Sequence, residues 1–274
     1  MLIVSDLDGT LMGKTHPLSL ANRESFHKAR KVGAICVIAT GRSLRGAEEV
    51  LDSSFPLDYL VFSSGAGILD WKTKNLIHRS ALESEQIRFI DQHLRGKGLD
   101  YTIQGEAPDS HLFFHTPLNK DNSDFFNRVR HQSAFGAPLL ETQLPAKASE
   151  FIIIDSSPDS HHTFEKLHRD LSKEFNVVRA TSPVDGRSLW IEIFPLETSK
   201  AHASDFLRRR HEIEIPETYA LGNDYNDLQL LSWAGNPLVV GDAVPLLREK
   251  YRSVKVHTEN AFANAVEIWI KEKI

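Results

Sequence analysis

Four short stretches of this sequence carry residue types able to act on a charged group. The first is Asp6-Leu7-Asp8-Gly9-Thr10, directly after the apolar run Leu2-Ile3-Val4. Where the chain is still extended, carboxylates two residues apart share a face. They repel each other, and a divalent cation holds such a pair together usefully. Asp-Gly-Thr is also good turn chemistry, so an acidic turn is the plainer alternative. The second stretch is Thr40-Gly41-Arg42-Ser43 after Val37-Ile38-Ala39. A hydroxyl and backbone N–H groups at a strand-to-helix turn can hold a phosphoryl oxygen. Equally, Thr40 or Ser43 can simply cap the helix.

The third stretch runs from Glu192-Ile193-Phe194-Pro195 to Ser199-Lys200-Ala201. A lysine at a helix N-terminus opposes the helix dipole, a placement that makes sense where an anion sits beside it. Without an anion it is an ordinary surface lysine. The fourth is Ala220-Leu221-Gly222-Asn223-Asp224-Tyr225-Asn226-Asp227. Hard oxygen donors of this kind suit Mg²⁺, although acids at a helix start are favoured by the dipole in any case. All four stretches are expected at the carboxyl ends of core strands, where open parallel sheets bind ligands. Four independent capping accidents would rarely line up that way.

The elements that must position them follow from hydrophobic patterning. Helices are expected over about 18–32, 43–51, 199–210, 225–233, 243–251 and 259–271, alternating with strands at 2–4, 34–39, 59–62, 189–194, 219–221 and 237–240. Strands apolar throughout and separated by helices indicate a parallel sheet covered on both faces. The middle is different: strands such as Asp100–Gln104 and His111–Thr116 are more polar and alternate, among helices near 83–95, 121–131 and 159–174. The expected fold is therefore α/β: a Rossmann-like parallel-sheet core formed by residues 1–81 and 187–274, with an α/β domain of residues 82–186 inserted as a cap. The inserted sheet is expected to be antiparallel and solvated on one face.

Composition narrows the partners. The chain has 274 residues and a net charge of −5, which leaves no broad basic field for a nucleic-acid backbone. No uncharged stretch approaches the roughly 18 apolar residues of a membrane span. The start of the chain is not expected to be a signal peptide, and the protein is expected to be cytoplasmic. Cys36, the single cysteine, lies in an apolar run and reads as a small buried hydrophobe. His111, Phe113 and His115 share a face of one middle strand, as partly exposed sheet surface or as pocket lining. His161-His162 has no partner that would suggest zinc, and Arg208-Arg209-Arg210 suits a helix C-terminus.

Together, Asp6-x-Asp8-Gly9-Thr10, Thr40-Gly41-Arg42, Lys200 and Gly222-x-x-x-Asn226-Asp227 resemble the four motifs of the haloacid-dehalogenase-like phosphatases. The interval of about 150 residues between the second and third resembles the Cof-type branch, in which a larger α/β cap is inserted there, as in sucrose-phosphatase-like and phosphomannomutase-like proteins. Ser64-Gly65-Ala66-Gly67-Ile68 also resembles the Asn-Gly-Ala-x-Ile turn of that branch, with serine in place of asparagine. The resemblance implies a Mg²⁺-dependent phosphatase for a small phosphorylated substrate such as a sugar phosphate. In it Asp6 is the nucleophile that forms an aspartyl-phosphate, and Asp8 is the general acid and base. Gly9, Thr40, Gly41, Arg42, Lys200 and Asn226 surround the phosphoryl group. Metal ligands are expected from Asp6, the carbonyl of Asp8, the Asn223/Asp224 pair and, through water or by steadying Lys200, Asp227. One departure stands out: the fourth motif usually begins Gly-Asp, and here Asn223 holds the position of the metal-binding acid. A phosphomutase would use the same core and differ only in returning the phosphoryl group to substrate. A receiver-type signalling module is half this length and carries its nucleophile after a later strand.

Overall fold

In the computed structural model, which describes residues 1–119, 121–140, 143–182 and 186–273, the apolar run that opens the chain is β1 (Leu2–Ser5), buried throughout. The chain continues through α1 (Leu20–Lys31), β2 (Ile35–Ala39), α2 (Leu44–Glu48), β3 (Tyr59–Phe62), β4 (Gly67–Asp70) and β5 (Leu76–Arg79). Ser19 caps α1 by accepting from the backbone of Asn22. Gly33, with φ of +81°, takes the left-handed turn between α1 and β2 that a side chain would strain.

Two units follow from the fold. The first comprises Met1–Arg42, Gly46–His78 and the chain from Ser199 onward; the second comprises Arg79–Thr198 with Ser43–Arg45. The last segment of the first unit supplies α6 (Lys200–Arg210), β14 (Thr218–Gly222), α7 (Leu228–Trp233), β15 (Asn236–Val239), α8 (Pro245–Lys250) and α9 (Ala261–Lys273). Its sheet has the order β15-β14-β1-β2-β3-β4-β5, parallel from β15 to β3, with β4 antiparallel to β3 at the far side. Helices α1 and α9 pack together, with the Phe26 and Phe262 rings stacked at 4.2 Å. Successive strands run outward from β1 one way through β2 and β3, and the other way through β14 and β15. β1 and β14 therefore flank the point where strand order reverses, the crevice in which such sheets bind ligands.

The second unit contains β6 (Leu82–Glu83), α3 (Ser84–Arg95), β7 (Tyr101–Gln104), β8 (Phe113–Thr116), α4 (Ser123–His131), β9 (Gly136–Pro138), β10 (Lys147–Ala148), β11 (Glu150–Asp155), α5 (Ser160–Leu171), β12 (Phe175–Thr181) and β13 (Leu189–Pro195). Its six-stranded sheet has the order β12-β13-β11-β7-β8-β9 and is antiparallel except for β8 with β9. One face packs Tyr101, Phe151, Ile153, Ile191 and Ile193 against α3 and α5. The other face sets Ile152, Ile154 and Trp190 against Phe125 of α4.

Two expectations need correction. The inserted sheet is not solvated on one face, because α4 covers part of it. And β13, read from its largely apolar run as a core strand, lies between β11 and β12 in the inserted sheet. A strand covered on both faces is apolar throughout wherever it sits, so periodicity cannot tell the two sheets apart. The units accordingly divide between His78 and Arg79 and between Thr198 and Ser199, not at 81 and 187. No helix among the described residues is long and apolar enough to cross a membrane.

Candidate active site

Asp6 is the first residue beyond β1. Its N–H donates to the carbonyl of Leu221 on β14 at 2.9 Å, which fixes the backbone at the strand-order reversal. The Lys200 ammonium lies 2.6 Å from Asp6 Oδ1 and 2.7 Å from Asp227 Oδ1. All three side chains are withdrawn from solvent, with Lys200 only 2% exposed. The anion that justifies a lysine at the start of α6 is thus this pair of carboxylates. Lys200 does not follow a core strand, since β13 belongs to the other sheet; it enters on the helix itself, which packs against β3 and the turn beyond it.

That approach depends on a missing side chain. A Cβ at Gly65 would lie 2.3 Å from the carbonyl oxygen of Ser199, the N-cap of α6. Gly222 plays the same part on the other side, where a Cβ would come within 2.7 Å of the Asp227 carboxyl. Asp227 is also the acceptor for the backbone N–H groups of Asn223 (2.8 Å) and Asp224 (3.2 Å).

Burial first, and the charge of Asp227 second, push the Asp6 carboxyl up to about 7, against the pull of Lys200. For Lys200, burial works against the charged form, but Asp227 and then Asp6 outweigh it and hold the ammonium well above the ordinary lysine range. Lys200 is therefore the fixed cation of the group, and Asp6 is the partner whose ionisation burial opposes.

The other expected residues gather around this group. Thr40 is buried, and its Oγ1 accepts from the Arg42 N–H at 3.1 Å. Accepting that bond leaves the hydroxyl hydrogen to be donated. Arg42, expected beside the phosphoryl group, instead forks onto Asp8, with Nε at 2.7 Å and Nη2 at 2.8 Å from its two carboxylate oxygens. Gly41 is exposed, and a Cβ there would meet Ser64 Oγ at 3.5 Å and Asn226 Nδ2 at 4.0 Å. Gly9, at φ +74°, packs against Asn223, whose Nδ2 lies 2.3 Å from a would-be Cβ. For Ser64 and Gly65 the sequence offers the resemblance to the family turn but no role in the site. The signal available there was a polar pair and a glycine closing an apolar strand, the same pattern that drew attention to Thr40-Gly41.

The site can be tested for Mg²⁺ on its donors. No three His, Cys, Asp or Glu side chains gather as a metal site among the described residues. Oxygen donors of mixed type are available: the Asn223 amide lies against Gly9 and its Oδ1 accepts from the Thr10 hydroxyl at 3.0 Å, which sets it beside the segment that supplies the Asp6 carboxylate and the Asp8 carbonyl. One carboxylate with neutral carbonyl and amide oxygens is a hard set that Mg²⁺ accepts when waters complete its shell, so the residues fit. Asp224 faces its own turn, accepting from the Tyr225 N–H at 2.7 Å. Asp227 is occupied by Lys200 and two backbone groups.

The Cys36 thiol is buried, and burial pushes it up to about 12. Arg208, Arg209 and Arg210 occupy the last turn of α6, as expected from the dipole. Phe113 is buried in the inserted sheet under the Arg128 guanidinium, and burial lowers His115 below the ordinary histidine range. Neither His161 nor His162 belongs to a metal-binding group among the described residues.

The fold is thus of the α/β class, with a carboxylate at the strand-order reversal of its sheet bound to a buried lysine. The family model for haloacid dehalogenase-like hydrolases matches residues 3–266, and the chain belongs to that family. It is 26% identical over 286 residues to the 5-amino-6-(5-phospho-D-ribitylamino)uracil phosphatase YwtE of Bacillus subtilis strain 168, covering 97% of this chain and 96% of the relative. It is 24% identical over 258 residues to the HMP-PP phosphatase of Yersinia pseudotuberculosis serotype O:1b, covering 93% and 89%. The structure of BT1666 from Bacteroides thetaiotaomicron superposes with a TM-score of 0.79 at 18% identity, over 98% of this chain and 94% of that one.

The electrostatics of Asp6 have a consequence for stability. The unfolded chain ionises Asp6 from about pH 4, whereas the folded protein resists until about pH 7. Ionisation therefore costs stability progressively across that interval and in full above it. Asp6→Asn should raise the thermal midpoint of the metal-free protein by a few degrees at pH 8, and the gain should fade as the pH drops to 5. Thermal scans of both proteins across that range check this; a variant less stable at pH 8 contradicts it.

Proposed function

We propose that this hydrolase is a Mg²⁺-dependent phosphatase of a small phosphate monoester, a sugar phosphate or similar phosphometabolite, and that it works through an aspartyl-phosphate on Asp6. The observation that carries the reading is the buried Lys200 ammonium held between Asp6 and Asp227. A carboxylate must approach a dianionic phosphoryl group without being repelled, and a fixed neighbouring cation meets that need. The two relatives are both named as phosphatases, one of them of a phosphorylated ribityl compound.

Phosphoryl transfer asks mainly for positioning and charge neutralisation. Asp6 attacks phosphorus in line, forming a carboxyl–phosphate bond as the ester oxygen leaves. Asp8 protonates that oxygen, then takes a proton from the water that releases phosphate. In the structure both oxygens of Asp8 face Arg42, so one must turn away from the guanidinium before a proton can be delivered. Thr40 and the amide of Asn226 hold the transferring oxygens. Lys200 opposes the charge accumulating on Asp6 and the phosphoryl group. Asp6, the carbonyl of Asp8 and Asn223 would hold Mg²⁺, which when bound neutralises negative charge between nucleophile and substrate.

Asp6→Asn should fold and show no measurable turnover with Mg²⁺ and a panel of sugar, polyol and nucleotide monophosphates. A correctly folded variant retaining a tenth of the wild-type rate would refute the nucleophile. Asp8→Asn should lose roughly 10²–10⁴-fold on alkyl phosphates and far less on aryl phosphates, whose leaving groups need no proton. Equal losses on both substrates would remove Asp8 from the acid role.

The metal corner generates a separate expectation, read by calorimetric titration of Mg²⁺ into the protein. Asn223→Asp should bind the ion more tightly and Asn223→Ala more weakly, because a carboxylate is the stronger donor. Asp224→Asn should change little. A larger loss in Asp224→Asn than in Asn223→Ala would make Asp224 the ligand.

A further inference from the structure

We infer that the Ser64 hydroxyl is an additional phosphoryl-oxygen ligand of this site, acting with Thr40 and Asn226; the inference rests on the phosphatase reading above. It begins with the turn that follows β3. Ser63 (φ 47°), Ser64 (φ 51°) and Gly65 (φ 110°) are successive residues in left-handed backbone, two of them carrying a side chain. A non-glycine residue pays roughly 1–2 kcal/mol for that conformation, and such outliers persist only where their surroundings hold them.

The surroundings here are the second motif. The Ser63 N–H donates to the carbonyl of Arg42 at 2.7 Å, and the Ser64 N–H to the carbonyl of Thr40 at 3.0 Å. The turn is thereby tied to Thr40-Gly41-Arg42 on both sides of Gly41. Ser64 is only 5% exposed, yet its Oγ comes within 3.5 Å of the position a Cβ would take on Gly41. Asn226 Nδ2, arriving from the end of β14, lies 4.0 Å from the same position. A hydroxyl and an amide from two different strand ends thus converge over a residue that has no side chain and is itself exposed. Converging donors above bare backbone are what an oxyanion can occupy.

Turn geometry alone does not account for serine. Glycine takes left-handed φ without penalty, and asparagine does so more readily than other side chains. A serine adds a hydroxyl and little apolar surface, so a destabilising conformation is kept for a polar atom. Its O–H would donate to a phosphoryl oxygen, with no bond made or broken.

The test separates the hydroxyl from the backbone. Inorganic phosphate binding, with Mg²⁺ present, is measured for the wild type and for Ser64→Ala, Ser64→Gly and Ser64→Asn, together with thermal midpoints and the KM and kcat of each. Loss of one hydrogen bond to a charged group should weaken phosphate about tenfold in the Ala and Gly variants. KM should rise in parallel, although the Gly variant is no less stable than wild type. Ser64→Asn, which keeps both the left-handed backbone and a polar donor, should recover most of the loss. If Ala and Gly variants bind phosphate within about twofold of wild type, the inference is overturned while the phosphatase reading stands. If wild type itself binds no phosphate, that reading falls and this one with it.

Discussion

The arrangement depends on one ammonium group placed where no water can solvate it. Lys200 is 2% exposed and faces two carboxylates that, without it, would be buried beside each other. Removing the ammonium itself would leave two buried carboxylates with no cation between them, at a cost of about 3–5 kcal/mol. Here the partners come from three separate places: the end of β1, the start of α6 and the turn beyond β14. The same contact that sets the ionisation of Asp6 therefore also fastens the first and last segments of the chain into one sheet unit. The raised Asp6 carboxyl is the cost of that design, and a site-bound cation is what would draw it back towards ionisation.

Close approach of backbone makes this triad possible. Gly65 lets Ser199, and so the first turn of α6, come against the turn after β3; Gly222 lets the Asp227 carboxyl fold back over the end of β14. Asp227 then uses one oxygen on Lys200 and the other on two N–H groups of its own turn. Such an acid is committed to geometry. Asn223, by contrast, is pressed against Gly9 and bonded by Thr10, beside the segment that carries Asp6 and Asp8. The amide position in the fourth motif thus lies against the loop that follows β1, and the proposed mechanism would have it act on the metal and leave Asp6 untouched.

Much of the site was legible in the sequence because its residues follow apolar strands directly. Asp6, Thr40 and the Gly222–Asp227 stretch could be placed at strand ends from hydrophobic runs alone, and the misplaced charge of Lys200 at a helix start pointed to a nearby anion. The pairing of Arg42 with Asp8 was not legible, since a guanidinium near a phosphate site has two partners of the same sign to choose from. The home of β13 was hidden for a different reason: this strand is buried on both faces, and its Leu189–Pro195 run carries nearly the same apolar signature as a core strand. The left-handed pair Ser63 and Ser64 left no trace in composition, because φ is set there by hydrogen bonds to Thr40 and Arg42 and not by residue type.

The proposed mechanism requires that the carboxylate bound to Lys200 be covalently phosphorylated during turnover. Acid quenching of the wild-type enzyme during turnover, followed by proteolysis and mass spectrometry, reads this directly from the peptide that contains Asp6. A phosphoryl group on Asp6, appearing before free phosphate and absent in the Asp6→Asn protein, is the expected result. Full-rate release of phosphate with that peptide unmodified, or with the phosphoryl group on another residue, would contradict it.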